Sequence, residues 1–173
     1  MNKPLLFALS MAVACGGIAT TVAAQQGPIY VMPKVAWMNP DIGGFDDALN
    51  LGVALGYDFS TTTNGVWSVE GEFTTTVSDG DVVGGGDWDV DTLAGYGTYR
   101  SSGDLYWKGK AGFQRFDIKR AGGTAGPIPT SKDTEFAVGI GGGFRMDRGA
   151  GLEIEYAHSS ELAYLSAGYY WRF

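Results

Sequence analysis

The sequence predicts an all-β protein, an eight-stranded antiparallel up-and-down transmembrane β-barrel. Three observations carry that reading. The stretch "LNLGVALGYDF" alternates large apolar and small residues without a break from Leu49 to Phe59, which is the period of a strand and not of a helix. Segments of this kind recur along the chain, separated by connections of alternating length. The last stretch, "ELAYLSAGYYWRF", places Tyr169, Trp171 and Phe173 at alternate positions. In water such a terminus would fray and invite aggregation.

Composition bounds the class. "MNKPLLFALSMAVACGGIATTVAAQQ" has an early cation, an apolar run, and small residues at Val22, Ala23 and Ala24. That is the layout of a secretory signal cleaved after residue 24. A retained anchor and lipid attachment at Cys15 are the alternatives, although "MAVAC" has Ala where a lipobox carries Leu. Residues 25–173 then form one barrel domain without cysteine, so no disulfide staples it. The acidic balance, pI about 4.5, argues against nucleic acid as a partner. No stretch after residue 24 approaches the ~20 apolar residues of a membrane helix.

The elements follow in order. Strand 1, about 29–38, sets Ile29, Val31, Val35 and Trp37 against Tyr30, Met32 and Lys34. Strand 2, 49–59, has a second face of mostly glycine and alanine, a surface over which something large can pack. Strand 3, about 66–76, alternates Trp67, Val69 and Phe73 with Ser68, Glu70 and Glu72. Strand 4, about 88–100, is read with Trp88, Val90, Ala94 and Tyr96 on the apolar face and Asp89, Asp91, Gly95 and Gly97 opposite; Leu93 falls on the wrong side of that assignment. Strand 5, about 105–118, sets Leu105, Trp107, Ala111 and Phe113 against Tyr106, Lys108, Lys110, Gly112 and Gln114. Strand 6, 135–145, sets Phe136, Val138, Ile140 and Phe144 against Glu135, Ala137, three glycines and Arg145. Strand 7 opposes Leu152, Ile154 and Tyr156 to Glu153, Glu155 and Ala157. Strand 8 opposes Leu165, Ala167, Tyr169, Trp171 and Phe173 to Tyr164, Ser166, Gly168, Tyr170 and Arg172.

Long connections such as "NPDIGGFDDA", "VSDGDVVGGGD" and "KRAGGTAGPIPTSKD" alternate with short ones such as "STTTNG", "SSGD" and "MDRGA"; only "HSSE" breaks the rhythm. Short turns on one side and long loops on the other are the layout of a transmembrane barrel, one of two architectures that span lipid with every backbone group paired.

On these residues the chain resembles the small outer-membrane barrels of the OmpA, OmpX and opacity-protein kind. The pattern Leu165, Tyr169, Trp171, Phe173 is similar to the C-terminal signature that the barrel-assembly machinery recognises in that superfamily. The resemblance implies an outer-membrane monomer with both termini in the periplasm. It also implies contact with outer-membrane lipids and lipopolysaccharide, and an extracellular ligand held through the long loops. It implies architecture more closely than activity, since a fold hosts many functions.

An eight-stranded barrel is just wide enough for side chains to fill, and alternating large and small inward residues does so. The inward faces place Lys34, Glu70, Glu72, Lys108, Lys110, Glu153 and Glu155 together over glycine-rich strands, with Arg145 and Arg172 on the same parity. The expectation is a lumen plugged by compensated charge, with a narrow channel as the alternative. No cofactor, metal or catalytic residue is predicted. Asp79, Asp81 and Asp87 match no EF-hand spacing. Arg115, Lys119, Arg120 and Lys132 gather near the third long loop, where basic groups can meet lipid phosphates. His158, Ser159, Ser160 and Glu161 offer the elements of a lipid A-modifying enzyme, a second alternative. Adjacent residues in a tight turn do not readily place nucleophile, base and orienting group in mutual reach. The expected function is structural or surface-interacting: envelope integrity, adhesion or resistance.

Overall fold

The computed structural model describes residues 27–40, 46–82, 85–121, 131–146 and 149–173. The predicted signal segment with Cys15 lies outside them, as do the centres of the first and third long connections. Eight strands form one antiparallel sheet: β1 (Ile29–Pro40), β2 (Ala48–Thr62), β3 (Gly65–Ser78), β4 (Asp87–Ser101), β5 (Leu105–Ala121), β6 (Ser131–Arg145), β7 (Ala150–His158) and β8 (Leu162–Arg172). Each pairs with its sequence neighbour, and β8 returns to β1, with Val31 opposite Trp171 and Pro40 opposite Leu162. The sheet is thereby closed and has no full-length edge. At the seam the Phe173 N–H donates to the Ile29 carbonyl at 3.0 Å. A two-residue rung, Gly80–Asp81, pairs with Asp87–Trp88 inside the second long connection.

The alternation read from the sequence sorts the side chains in seven of the eight strands. Ile140, Phe113 and Leu105 stand 66%, 63% and 79% exposed on the outer surface, while Lys34, Glu72 and Glu155 are buried within. An outer band of this composition suits lipid and not water. Aromatic rings gather on it near the chain termini: Trp67 and Tyr99 lie 4.8 Å apart, Tyr99 and Trp107 5.1 Å, and Tyr169, Trp171 and Phe173 form a second row. Such rings favour the level where lipid meets water.

Strand β4 corrects the sequence reading. Trp88, Val90, Ala94 and Tyr96 point into the barrel, whereas Leu93 is 61% exposed on the outside. Gly95 and Gly97 are therefore outward glycines, and a Cβ on Gly95 would meet nothing within 4 Å. Two features disguised this face. Below Leu93 it carries only Gly95 and Gly97 before Tyr99, and Asp89 and Asp91 sit high on it, where Lys119 pairs with both. Those charges rise above the apolar band instead of facing the lumen.

Strands β5 and β6 also run further than their apolar alternation. Lys119–Ala121 and Ser131–Asp133, read as loop, continue the ladder, with Ile118 opposite Ser131 and Ala121 opposite Asp87. The wall is consequently uneven at the loop end: β5 has 17 residues and β6 has 15, against 9 for β7.

Arginine placed at Ile140 should cost roughly 2–4 kcal/mol, the penalty for a cation on the lipid face near mid-membrane. At Leu93, which pairs with the loop-side Arg115, the cost should be smaller but still measurable. The same change at exposed Thr61, at the turn end of β2, should cost little. Chemical unfolding of the barrel in micelles measures both. A harmless Leu93→Arg would return β4 to the opposite facing.

Candidate functional site

The lumen is built in layers. Nearest the termini, Tyr30, Tyr106 and Tyr170 pack with Met32 and Ala54. Nearest the loops, Met38, Trp88, Val90, Phe116 and Leu162 form an apolar cap, and the Trp88 indole donates to the Asp46 carbonyl at 2.8 Å. Below the cap, Asn50, Thr74, Thr76 and Thr92 hydrogen-bond to one another and to the Val90 backbone. Between these layers lie the charges.

Among the described residues, the charged side chains buried to 5% exposure or less are Lys34, Arg100, Lys108, Lys110, Glu70, Glu72, Glu153 and Glu155. Four cations face four carboxylates, so the formal charge of the cluster is zero. Toward the termini, Glu70 accepts from Arg100 at 3.1 Å and Lys108 at 2.9 Å, and Glu153 from Arg100 at 2.5 Å and Lys108 at 3.0 Å. Toward the loops, Glu72 meets Lys34 at 2.8 Å and Lys110 at 3.0 Å, and Glu155 meets them at 3.0 Å and 3.2 Å. A close contact of Lys108 with Glu155 joins the two halves. Every carboxylate touches at least two cations.

Tyrosine hydroxyls serve the remaining lone pairs. Tyr30 donates to Glu70 at 2.7 Å, Tyr106 to Glu153 at 2.6 Å and Tyr164 to Glu72 at 2.8 Å. Tyrosine rings also offer their faces to cations, with Arg100 4.5 Å from the Tyr30 centroid and Lys110 4.4 Å from that of Tyr96, a favourable contact where water is excluded. Opposite these groups the wall is bare. A Cβ on Gly139 would lie 2.9 Å from the Lys110 chain, and one on Gly56 would fall inside the Tyr30 ring. Oxygens of Glu70, Glu72 and Glu155 lie within 4.8 Å of one another. A bare trio of that kind is a cation site, but here lysine ammoniums stand among the oxygens.

Seven of the nine lumen residues named from the sequence thus meet in one cluster. Arg145 and Arg172 share their inward parity but not their depth. Arg145 stacks 4.3 Å over Tyr106 and donates to the Ser101 and Gly103 carbonyls at the turn, and Arg172 pairs with Asp58 at 3.0 Å. Arg100 is the member that sequence reasoning missed. It lies on the face opposite Leu93, so Leu93's departure from the assumed phase of β4 is the signal that places Arg100 inward.

The loop end has the opposite character. Its described carboxylates are Asp46, Asp47, Asp79, Asp81, Asp87, Asp89, Asp91, Asp117, Asp133, Glu135 and Glu161, against Arg115, Lys119, Arg120 and Lys132. Lys119 is held by Asp91 at 2.8 Å and Lys132 by Asp117 at 2.7 Å. Of the basic residues expected to meet lipid phosphates, two are thus committed to aspartates, and the Arg120 side chain lies outside the described atoms. In the last turn, Ser159 is buried and its hydroxyl bonds to Leu162, while the Glu161 N–H donates to Glu135. No hydrogen bond joins His158, Ser160 and Glu161.

The sequence matches the family model of the outer membrane protein beta-barrel domain over residues 5–169. No curated protein sequence matches significantly. Among solved structures the chain is similar to Ail, the attachment invasion locus protein of Yersinia pestis, at 17% identity over 84% of this chain and 96% of that one, with a TM-score of 0.56. It is similar to OprG from Pseudomonas aeruginosa at 10% identity over 88% and 99%, TM-score 0.60. It also resembles the outer membrane enzyme PagL at 15% identity over 82% and 99%, TM-score 0.52. At these identities the likeness is one of fold. The chain belongs to the outer-membrane β-barrel family.

Replacing Arg100 with Met would strand Glu70 and Glu153 beside a single lysine. The expected loss is roughly 3–5 kcal/mol, typical for breaking a fully buried ion pair. Arg115→Met on the exposed rim should stay within about 0.5 kcal/mol. Unfolding midpoints in micelles compare the two, and a tolerant Arg100 would mean that the lumen charges are solvated.

Proposed function

We propose that this outer-membrane barrel is a non-conducting structural and surface-interaction protein, with its termini and short turns in the periplasm and its acidic loop end outside the cell. The observation that carries the reading is the balance of the lumen: four cations and four carboxylates in mutual contact, closed by an apolar layer at one end and tyrosines at the other. A conducting pore needs a polar path that leaves ions weakly held, whereas these charges hold one another. The terminal strand, with Phe173 latched to Ile29, acts on this reading as the signal for assembly into the membrane.

The surface role is assigned to the loop end because the excess acid is concentrated there. Ail has been solved with the heparin analogue sucrose octasulfate. An acidic rim repels a polysulfate, so a ligand of that kind does not suit this chain. PagL is an enzyme, but nucleophilic catalysis requires a nucleophile within hydrogen-bond reach of an oriented base. His158 and Ser160 form no such pair, which supports a role without catalysis.

Planar-bilayer recording tests the closed lumen. The purified barrel should show no steady openings, while the double variant Lys108→Ala/Lys110→Ala, which removes two of the four interior cations, should open and lose stability. Steady, ion-selective openings from the unaltered protein would make it a narrow channel instead.

A further inference from the structure

Among the described residues, the uneven wall leaves part of one strand without a neighbouring strand, although the Glu161 N–H of the last turn reaches the Glu135 side chain at 3.3 Å. β7 stops at His158, which faces Val138 of β6. β6 begins seven positions earlier, at Ser131, and is paired with β5 from that residue onward. Lys132–Ala137 therefore have a strand on one side and, among the described residues, none on the other.

The alternation of main-chain groups identifies what is left over. At the opposite end of β6 the Arg145 N–H donates to Asp104 on the β5 side, and the next N–H, of Met146, to Ala150 on the β7 side. The register of β6 is unbroken from there to Ser131, so its even-numbered residues turn their N–H and C=O toward the β7 side. Lys132, Thr134 and Phe136 thus present main-chain groups to an open edge. The Thr134 N–H fits this placement: its partner is the Asp133 side chain, at 2.7 Å.

Bare strand edges are templates for pairing, and extended segments add to them through main-chain hydrogen bonds. Charge selects the occupant. Asp133 and Glu135 flank this edge, the rim around it is acidic, and the ammonium of Lys132 is already neutralised by Asp117. An acidic strand would be repelled and a basic one attracted.

We propose that the outer edge of β6, Lys132–Ala137, is a docking site for an extended lysine- or arginine-rich segment of another protein, which joins the barrel wall as an added strand. The proposal rests on the surface-interaction role of the loop end, but its test does not depend on conductance. The barrel in uncharged micelles is titrated with a fluorescent peptide of alternating lysine and valine, and with a control in which proline replaces valine. The control keeps the charge and cannot donate from those positions.

The first peptide should bind about tenfold more tightly than the control, the factor that one lost hydrogen bond can remove. Thr134→Pro should reduce its binding by a similar factor while the barrel keeps its folded, heat-resistant gel mobility, because the N–H it removes is not part of the β5 ladder. Independently of any variant, the peptide should slow amide hydrogen exchange at Lys132, Thr134 and Phe136. Equal binding of the two peptides would reduce the effect to charge attraction and overturn the proposal. So would unaltered exchange at those amides, or edge-to-edge dimers of the barrel alone, which would assign the edge to a second copy.

Discussion

Everything inside this barrel depends on mutual neutralisation. An isolated ion is costly to bury, and even a pair repays its desolvation only when its geometry is good and its other lone pairs are satisfied. Here no charge relies on a single partner: Lys108 touches Glu70, Glu153 and Glu155, and each glutamate has two or three cations. The tyrosines complete the arrangement by donating to carboxylates and offering ring faces to cations. Such a cluster tolerates no partial version. It is held in place because every member has more than one partner.

Filling the bore requires long side chains from some strands and almost none from others. β3, β5 and β7 supply glutamates and lysines, while β2, β6 and β8 supply inward glycines. Tyr30 lies over Gly56, and the Lys110 chain passes over Gly139. A methyl group at either place would collide, so these glycines belong to the same packing solution as the charges they face. β4 stands outside the scheme. It turns its glycines to the lipid and contributes Arg100, Tyr96 and Trp88 to the interior.

The legibility of the chain follows from these facts. Strand count, closure and seven of the eight facings could be read from period-two alternation, because lipid outside and packed charge inside impose opposite chemistry on neighbouring residues. β4 could not. Its inward residues at Trp88, Val90 and Tyr96 are as apolar as a lipid face, and between its outward Leu93 and Tyr99 lie only glycines, with aspartates above them. Parity also carries no depth, so it puts Arg145 and Arg172 on the same face as the cluster although their partners are Ser101 and Asp58. The bare edge of β6 was invisible for another reason: it depends on where β7 stops, and a strand's length relative to its neighbour is not written in either one alone.

The central claim is that the lumen ammoniums are paired and sealed from water, and lysine-selective nitrogen NMR of the folded barrel tests it most directly. Ammonium protons of Lys34, Lys108 and Lys110 should give separate signals that exchange with water far more slowly than those of exposed Lys119 and Lys132. Exchange at Lys108 and Lys110 as fast as at Lys119 would mean that water reaches the centre of the barrel, and would contradict a sealed, self-neutralised interior.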